Sequence, residues 1–583
     1  MVLLENGQKT IKDLFDGKKI FKIPEYQRAY AWEEKQLHDF IEDIKNQRED
    51  KNYFFGTILF QEVGSKSNFE VIEIVDGQQR ITTLIIFLNE LIKTIHNETK
   101  EIYVDTFIKS FGTYKLEVLR QDNEFFKSYI IEDNILNEGL ITTPSQKKLV
   151  YAKKYFREQV ELFNDCVESI ITKISNTNVL TYSVKDKSEA TLIFETTNDR
   201  GKQLSNIEKT KSFLMYKTYL CSEKPEEELT NIQSRFTSIY NDYSLIEDEI
   251  EENSILQYHF IAFEQWTSGK IKEYQKYMEK LKYNINQFIN EEKDDLKALT
   301  YINKYSRELR ETFCIVREII YLDIPELEDL KILSNMANFY PLIIKTYKLD
   351  SDINKNNFKR VLRLIEIYIF RVYCIHNSMS YTGQSKFFSI ARDFQGNFED
   401  LISHIKDIIG EYSVDKKFIE DLKYEDFCSY YSSNVKNYFF WKYENYLRTN
   451  EQPVASEIGS KEFKSKNKRT KFSIEHIIPQ NPDEEYKKVI ENDLMYDKVD
   501  ENFQEKYLNC IGNLTIDPMS ANASKQNYQY EIKENKYFKR APFKCQNELI
   551  DFLENEKFTA NSIISRENKL IEFALKYWNY RNI

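Results

Sequence analysis

Glu475 and His476 stand side by side, behind Thr470-Lys-Phe-Ser-Ile and ahead of Ile477-Ile-Pro-Gln480. An imidazole can accept a proton near neutral pH, and an adjacent carboxylate supplies a hard oxygen donor. Farther on, Leu508-Asn-Cys-Ile-Gly512-Asn513-Leu-Thr-Ile sets an amide in an apolar run, and Asn522 and Asn527 follow. Mg²⁺ prefers oxygen ligands and keeps several waters, so Glu475 with Asn522 is enough protein to hold one such ion beside a general base. A Glu-His pair alone is an ordinary polar pair. The combination with the Gly-Asn turn and the Asn-rich segment makes it a candidate site.

These groups need elements that bring them together. Phe472 and Ile474 predict a short strand ending at Glu475 and His476, and Ile511, Leu514 and Ile516 predict a second strand entered by a turn. Ser520 to Tyr537 predicts a helix whose first turns carry Asn522 and Asn527. Cys510 and Cys545 lack Cys-x-x-Cys spacing, so no structural zinc is expected. Thr449 to Ser460 has no apolar rhythm and is expected to be a linker.

Two further clusters lie near the N-terminus. Pro24-Glu-Tyr26-Gln27-Arg28-Ala-Tyr30-Ala-Trp32 precedes an amphipathic helix marked by Leu37, Phe40, Ile41 and Ile44. Aromatics with Gln and Arg can stack on bases and bond their edges, although such a cluster alone is more often core with an arginine at its rim. Gly56 to Phe60 and Phe69 to Val75 predict two strands, the second running into Asp76-Gly77-Gln78-Gln79-Arg80 and a helix marked by Ile81, Leu84, Ile85 and Leu88. Free amides at that helix start favour an anion, and Arg80 can add a bidentate phosphate contact. Residues 100 to 185 read as charged and helical. A predicted strand at Ala190 to Glu195 then leads into Asn198-Asp-Arg-Gly201-Lys202, and Ser205 to Glu208 forms a capping box that opens a helix.

Glu-His-Ile-Ile-Pro, Ile-Gly-Asn-Leu-Thr, Asn522, Asn527 and Lys533 resemble the HNH (His-Me finger) nucleases, and more closely the C-terminal domain of GmrSD-type modification-dependent restriction endonucleases. The resemblance implies that His476 activates water, Glu475 and Asn522 (or Asn527) bind metal, and Asn513 orients the site. Pro-x-Tyr-Gln-Arg-x-Tyr-x-Trp, Phe-Gly-Thr-Ile and Asp-Gly-Gln-Gln-Arg resemble the same family's N-terminal domain, which is related to the ParB/sulfiredoxin fold. This implies a nucleoside triphosphate site at Asp76, Gly77, Gln78, Gln79 and Arg80, with Asn198, Gly201 and Lys202 as a further wall. It makes Arg80 catalytic for hydrolysis. SspE-like relatives use the block matching Tyr26, Gln27, Arg28, Tyr30 and Trp32 to sense modified DNA. No Gly-x-x-x-x-Gly-Lys-[Ser/Thr] loop occurs, so a P-loop mechanism is excluded. A basic run is usually a solvated face, but beside a phosphodiesterase site Lys464, Lys466, Lys468 and Arg469 are expected on the DNA backbone.

The expected fold is α+β and mainly helical. A ParB-like α/β domain spans 1–224, a helical connecting domain 225–450, and a ββα-metal HNH nuclease domain 451–583. At 583 residues, 41% hydrophobic and 14% aromatic, the chain can bury sizeable cores, and few Gly and Pro favour helix. A net charge of −12 argues against nonspecific nucleic-acid coating while permitting a local basic face. Seven scattered cysteines and no apolar leader fit a reducing cytoplasm. Val361 to Ile375 is interrupted by Arg363, Glu366 and Arg371, so a buried helix is expected there and no membrane span.

The expected activity is Mg²⁺-dependent (or other divalent-dependent), NTP-linked cleavage of modified phage or foreign DNA in antiviral defence. GTP, UTP, ATP and CTP are equally compatible. Two alternatives stand beside it: a nucleotide-responsive adaptor with an inactive nuclease domain, and an RNA-directed HNH nuclease. Partner proteins from the same defence locus and a homo-oligomer are both compatible with the resemblance; no membrane partner is expected.

Overall fold

The computed structural model describes residues 7–25, 27–45, 54–96, 98–163, 166–184, 205–266, 276–451, 456–464, 472–481, 503–518, 525 and 528–583. The fold is α+β and mostly helical. Two compact units are formed: one from Met1–Phe260 with Lys270–Ile320, the other from Ile261–Gly269 with Tyr321–Ile583. The region expected as one helical connecting domain is divided between them.

The first unit is built on a six-stranded sheet. Its strands are β1 (Gly7–Thr10), β2 (Lys19–Lys22), β3 (Phe54–Lys66), β4 (Phe69–Asp76), β5 (Leu116–Glu117) and β6 (Asn178–Val184), in the order β1-β6-β3-β4-β2-β5. β3 and β4 contain the two strands expected at Gly56 to Phe60 and Phe69 to Val75 and pair antiparallel, with Leu59 opposite Asp76 and Phe60 opposite Ile74. β6 corrects the reading of residues 100 to 185 as helical throughout. Val179 and Thr181 are buried while Leu180 and Tyr182 are exposed, a period-two pattern that a strand satisfies and a helix cannot. That strand lies between β1 and β3, pairing antiparallel with one and parallel with the other.

Helices α1 (Glu34–Lys45), α2 (Gln78–Lys93) and α3 (Pro144–Glu161) belong to this unit, and Phe40, Phe87 and Phe156 from the three meet edge to face or tilted at 5.0–5.8 Å. Nearly every residue of α2 is buried, so it is the unit's central helix. Two later helices, α4 (Asn206–Cys221) and α5 (Pro225–Ser244), also belong here.

In the second unit the most apolar run forms α6 (Asn356–Tyr368), extended by a π-helical segment over Ile369–Ile375. Its charges are matched where they are buried. Arg371 is 1% exposed and donates to Ser413 O and Asp415 Oδ1, while Glu366 accepts from Tyr438 Oη and Trp578 Nε1. Trp578 stacks on Phe370 at 3.8 Å, which fastens the C-terminal segment to this helix. The small antiparallel hairpin of this unit consists of β7 (Phe472–His476) and β8 (Leu514–Pro518), with His476 opposite Leu514 and Glu475 opposite Thr515. After it come α7 (Tyr530–Lys536) and α8 (Ala560–Tyr577).

Of the helix predicted over Ser520 to Tyr537, the described residues show Lys525 as helical and a break at Tyr528 and Gln529 before α7; Ser520 to Ser524, Gln526 and Asn527 lie outside the described residues. Gln529 is extended, at φ −61° and ψ 159°, and caps a helix that starts at Tyr530. Among the described residues, no helix is long and apolar enough to cross a membrane.

Candidate functional site

The apolar lead-in of β7 places Glu475 and His476 at the strand end, as expected. Glu475 is buried and His476 is half-buried. After His476 the chain turns through Ile477 and Ile478, both completely buried in a core with Tyr507, Tyr530, Phe538 and Ile563. Asn513 holds this turn. Its side-chain oxygen accepts from Ile478 N at 2.8 Å, and its amide donates to Ile478 O at 3.2 Å and to Leu508 O at 2.8 Å. Its own carbonyl accepts from Ile477 N at 2.9 Å. Asn513 is 0% exposed, so it acts on the backbone behind His476. Arg566 of α8, also fully buried, secures the other side by donating to Gly512 O and Leu514 O.

Burial holds the His476 imidazole down at about 4, so the ring is neutral at pH 7 and able to accept a proton. Its Nε2 lies 3.1 Å from Asn509 Oδ1, and Asn509 Nδ2 donates to Asp426 Oδ1 at 2.8 Å. Sequence reasoning missed both partners. Asn509 stands four residues before Asn513 with no pattern of its own, and Asp426 is fifty positions upstream of the histidine.

Lys533 of α7 is 1% exposed and sits behind the pair, donating to His476 O at 2.6 Å and meeting Glu475 Oε1 at 2.6 Å. Burial pushes both ionisable groups toward their neutral forms, raising Glu475 and lowering Lys533, and each charge restrains the other. A second buried pair, Lys525–Asp517 at 2.8 Å, lies off β8.

A Mg²⁺ site needs converging oxygen donors. Among the described residues no group of three or more His, Cys, Asp and Glu is placed to hold a metal ion, and the Glu475 carboxylate is already compensated by Lys533. The described residues therefore do not fit the ion by themselves. Asn522 and Asn527 lie outside the described residues, as do Lys466, Lys468 and Arg469. Lys464 is described and pairs with Glu328 at 2.7 Å.

In the first unit the N-terminal clusters interlock. Gln27 Nε2 donates to Val75 O at 2.8 Å, Gln79 Oε1 accepts from Ala31 N at 2.8 Å, and Gln79 Nε2 donates to Ala29 O at 3.0 Å. Tyr30 Oη bonds Thr83 Oγ1 at 2.8 Å, and Gln78 Nε2 reaches Gln27 Oε1 at 3.4 Å. Arg28 meets Glu208 at 3.1 Å, and Glu208 completes the expected capping box with Ser205 at the start of α4. The segment that follows residue 204 is thereby tied to residues 27–31. Asn198, Gly201, Lys202 and Tyr26 themselves lie outside the described residues. Trp32 is half-buried and packs edge to face on Phe40, so Gln27, Tyr30 and Trp32 all take part in holding the unit together.

Gly77 caps α2 in a left-handed conformation, φ 93°, which a glycine adopts without strain. Arg80 does not extend freely toward an anion. It donates to Phe55 O at 3.1 Å and Thr57 O at 2.7 Å and stands 3.6 Å from Asp76, in space that a Cβ on Gly56 would fill. Burial raises the Asp76 carboxyl and Arg80 opposes that shift. Nearby, a cavity of about 350 Å³ is lined by Arg28, Tyr30, Lys148, Ser205, Tyr240 and Glu252, within the range of small-ligand pockets. The Tyr240 hydroxyl is buried there without a hydrogen-bond partner among the described residues.

Comparison with known families bears on both units. The model of the GmrSD restriction endonuclease N-terminal domain matches residues 11–215, and that of the GmrSD restriction endonuclease C-terminal domain matches 412–573. The chain belongs to the GmrSD restriction endonuclease family. The first match takes in Arg28, Arg80 and Glu208 of this GmrSD protein, and the second takes in Asp426 as well as His476. Among curated proteins, none matches the chain.

Proposed function

We propose that this GmrSD-family chain is an NTP-linked DNA endonuclease of an antiviral restriction system. In this reading an HNH-type ββα-metal unit cuts phosphodiesters, and a ParB-like unit binds and hydrolyses a nucleoside triphosphate and senses modified DNA. Family membership supports a restriction endonuclease acting on DNA. The observation that carries the catalytic half is a neutral His476 at a strand end, its following turn clamped by Asn513 and its carbonyl held by Lys533.

As His476 accepts a proton from water, the water oxygen bonds to the scissile phosphorus; the P–O bond to the bridging oxygen breaks, and that oxygen keeps the bonding pair and takes a proton from solvent water. Asn513 and Lys533 fix the backbone that aims the ring, so little reorganisation accompanies the proton transfer. Dependence on Mg²⁺ or another divalent ion, with Glu475 and Asn522 or Asn527 as donors, belongs to the proposal through the family resemblance, and no step above is routed through it. Lys464, Lys466, Lys468 and Arg469 are assigned to DNA phosphates on the same ground.

The nucleotide half is supported by the bonding of residues 27–31, 75–80 and 205–208 beside the 350 Å³ cavity. Asp76, Gly77, Gln78, Gln79 and Arg80 are assigned to the nucleotide, with Asn198, Gly201 and Lys202 on the adjoining wall. Tyr26, Gln27, Arg28, Tyr30 and Trp32 are assigned to the sensing of modified DNA.

The test is incubation of the full chain with plasmid, modified phage DNA and RNA, each with Mg²⁺ or EDTA and with or without each NTP. Mg²⁺-dependent cleavage of DNA that responds to NTP and to base modification is expected. Cleavage of RNA alone supports the RNA-directed alternative, and intact nucleic acid throughout supports the adaptor.

A further inference from the structure

The hydrogen bonds around His476 determine more than its position. Asp426 precedes the short helix Phe427–Tyr430 at the N-cap position, where an aspartate ordinarily accepts from a helix amide, yet it makes no side-chain cap bond. Its carboxylate instead accepts from Asn509 Nδ2 at 2.8 Å, and a backbone bond from Cys428 N to Asn509 O at 2.9 Å joins the same two segments. An ionised carboxylate only accepts hydrogen bonds. Asp426 therefore fixes which way the Asn509 amide faces, an orientation that otherwise rests on the bonding network alone. With Nδ2 turned to Asp426, Oδ1 is the atom turned to His476 Nε2 at 3.1 Å. A carbonyl oxygen set against an imidazole nitrogen is attractive only when that nitrogen carries the proton. Gln480 Nε2 also approaches His476 Nε2, but at 3.4 Å from an exposed side chain, beyond the usual hydrogen-bond range. The closer and better enclosed Asn509 contact decides the tautomer.

We propose that Asp426 and Asn509 are positioning residues for His476. The carboxylate orients the amide, the amide carbonyl holds the proton on Nε2, and Nδ1 is left with the lone pair that accepts the proton of the attacking water. The inference rests on the reading of His476 as general base and adds to it which nitrogen reacts and what selects it. It also assigns a part in the reaction to a residue that reaches the hairpin from an upstream helical segment.

The test uses the full chain labelled with ¹⁵N-histidine, the His476 signals being assigned by their loss in His476→Gln. Nitrogen shifts distinguish a protonated from a bare ring nitrogen, and wild type is expected to show His476 protonated on Nε2. Asn509→Leu and Asp426→Ala should each mix the tautomers and lower kcat by about tenfold to a hundredfold, with KM for DNA changed by less than about twofold. The exchanged pair, Asp426→Asn with Asn509→Asp, restores an acceptor toward His476 and a donor toward it from position 426. It should recover the Nε2-protonated form and bring kcat to within about threefold of wild type, which a loss of folding in the single variants could not mimic. A wild-type tautomer and kcat in Asn509→Leu, or an exchanged pair no better than the single variants, overturns the proposal while leaving His476 as the base. Full cleavage by His476→Ala removes the base assignment and this proposal together.

Discussion

Replacing Asn513 with alanine should loosen the turn behind His476 far more than the loss of one polar side chain suggests. The substitution leaves Ile478 N, Ile478 O and Leu508 O without the bonds they now make at 2.8, 3.2 and 2.8 Å. The two bonds to Ile478 are buried, and that to Leu508 is partly so. Each buried backbone group left unpaired costs roughly 1–3 kcal/mol, so the turn should be destabilised by about 3–5 kcal/mol. At 1.4 kcal/mol per factor of ten, amide exchange limited by local opening should accelerate roughly a hundredfold to a few thousandfold across residues 474–479. Hydrogen exchange read by mass spectrometry on that peptide measures it. Asn513→Asp separates bonding from packing, because it keeps the shape, removes both N–H donors, and sets a carboxylate against two carbonyls. It should be at least as damaging as alanine. Acceleration below about tenfold in both variants would refute the argument that these bonds hold the turn.

Four further outcomes follow from the same geometry. Burial pushes His476 down to about 4 in the DNA-free chain, below its usual 6.5, so kcat/KM for DNA cleavage, which reports the free enzyme, should persist from neutral pH to about pH 5 and fall only as the ring takes up its proton. The depressed value also means that its contribution to stability is full above 6.5 and is lost as pH falls toward 4, which thermal melting over that window checks. In Gly512→Ala the new Cβ collides with the backbone carbonyl of Ile563 on α8, and melting should report a loss of at least about 2 kcal/mol. Arg80→Ala, which strips Phe55 O and Thr57 O of their donor, should abolish NTP turnover measured by phosphate release; turnover at the wild-type rate would remove Arg80 from that site.

The local features were legible where side chains and backbone agree over a few residues. Phe472 and Ile474 point to a strand that ends at the Glu-His pair, Ser205 and Glu208 point to a capped helix start, and Ile81 to Leu88 point to the buried helix α2. β6 was masked by its charged surroundings, although Val179 and Thr181 alternate with Leu180 and Tyr182 as a strand requires. The break at Tyr528 and Gln529 ahead of Tyr530 was not legible, because Tyr528 and Tyr530 keep the apolar spacing while Gln529 takes an extended backbone at φ −61° and ψ 159°. The partners of His476 were not legible in the sequence. Asp426 meets Asn509 only through tertiary packing, and the Lys533–Glu475 pair joins a strand end to a helix beyond a long intervening segment. Arg80 shows the converse: its place in the motif suggested a phosphate, while the fold gives its guanidinium two strand carbonyls.

The central claim is that His476 activates the water that cuts DNA, and the most direct measurement is a plasmid cleavage time course of wild type against His476→Ala. The alanine variant should first be shown to match wild type in hydrogen exchange over 503–518. A loss of cleavage of at least about a hundredfold with NTP turnover intact is the predicted result. Equal cleavage by the two proteins would contradict the account and move the chemistry elsewhere in the chain.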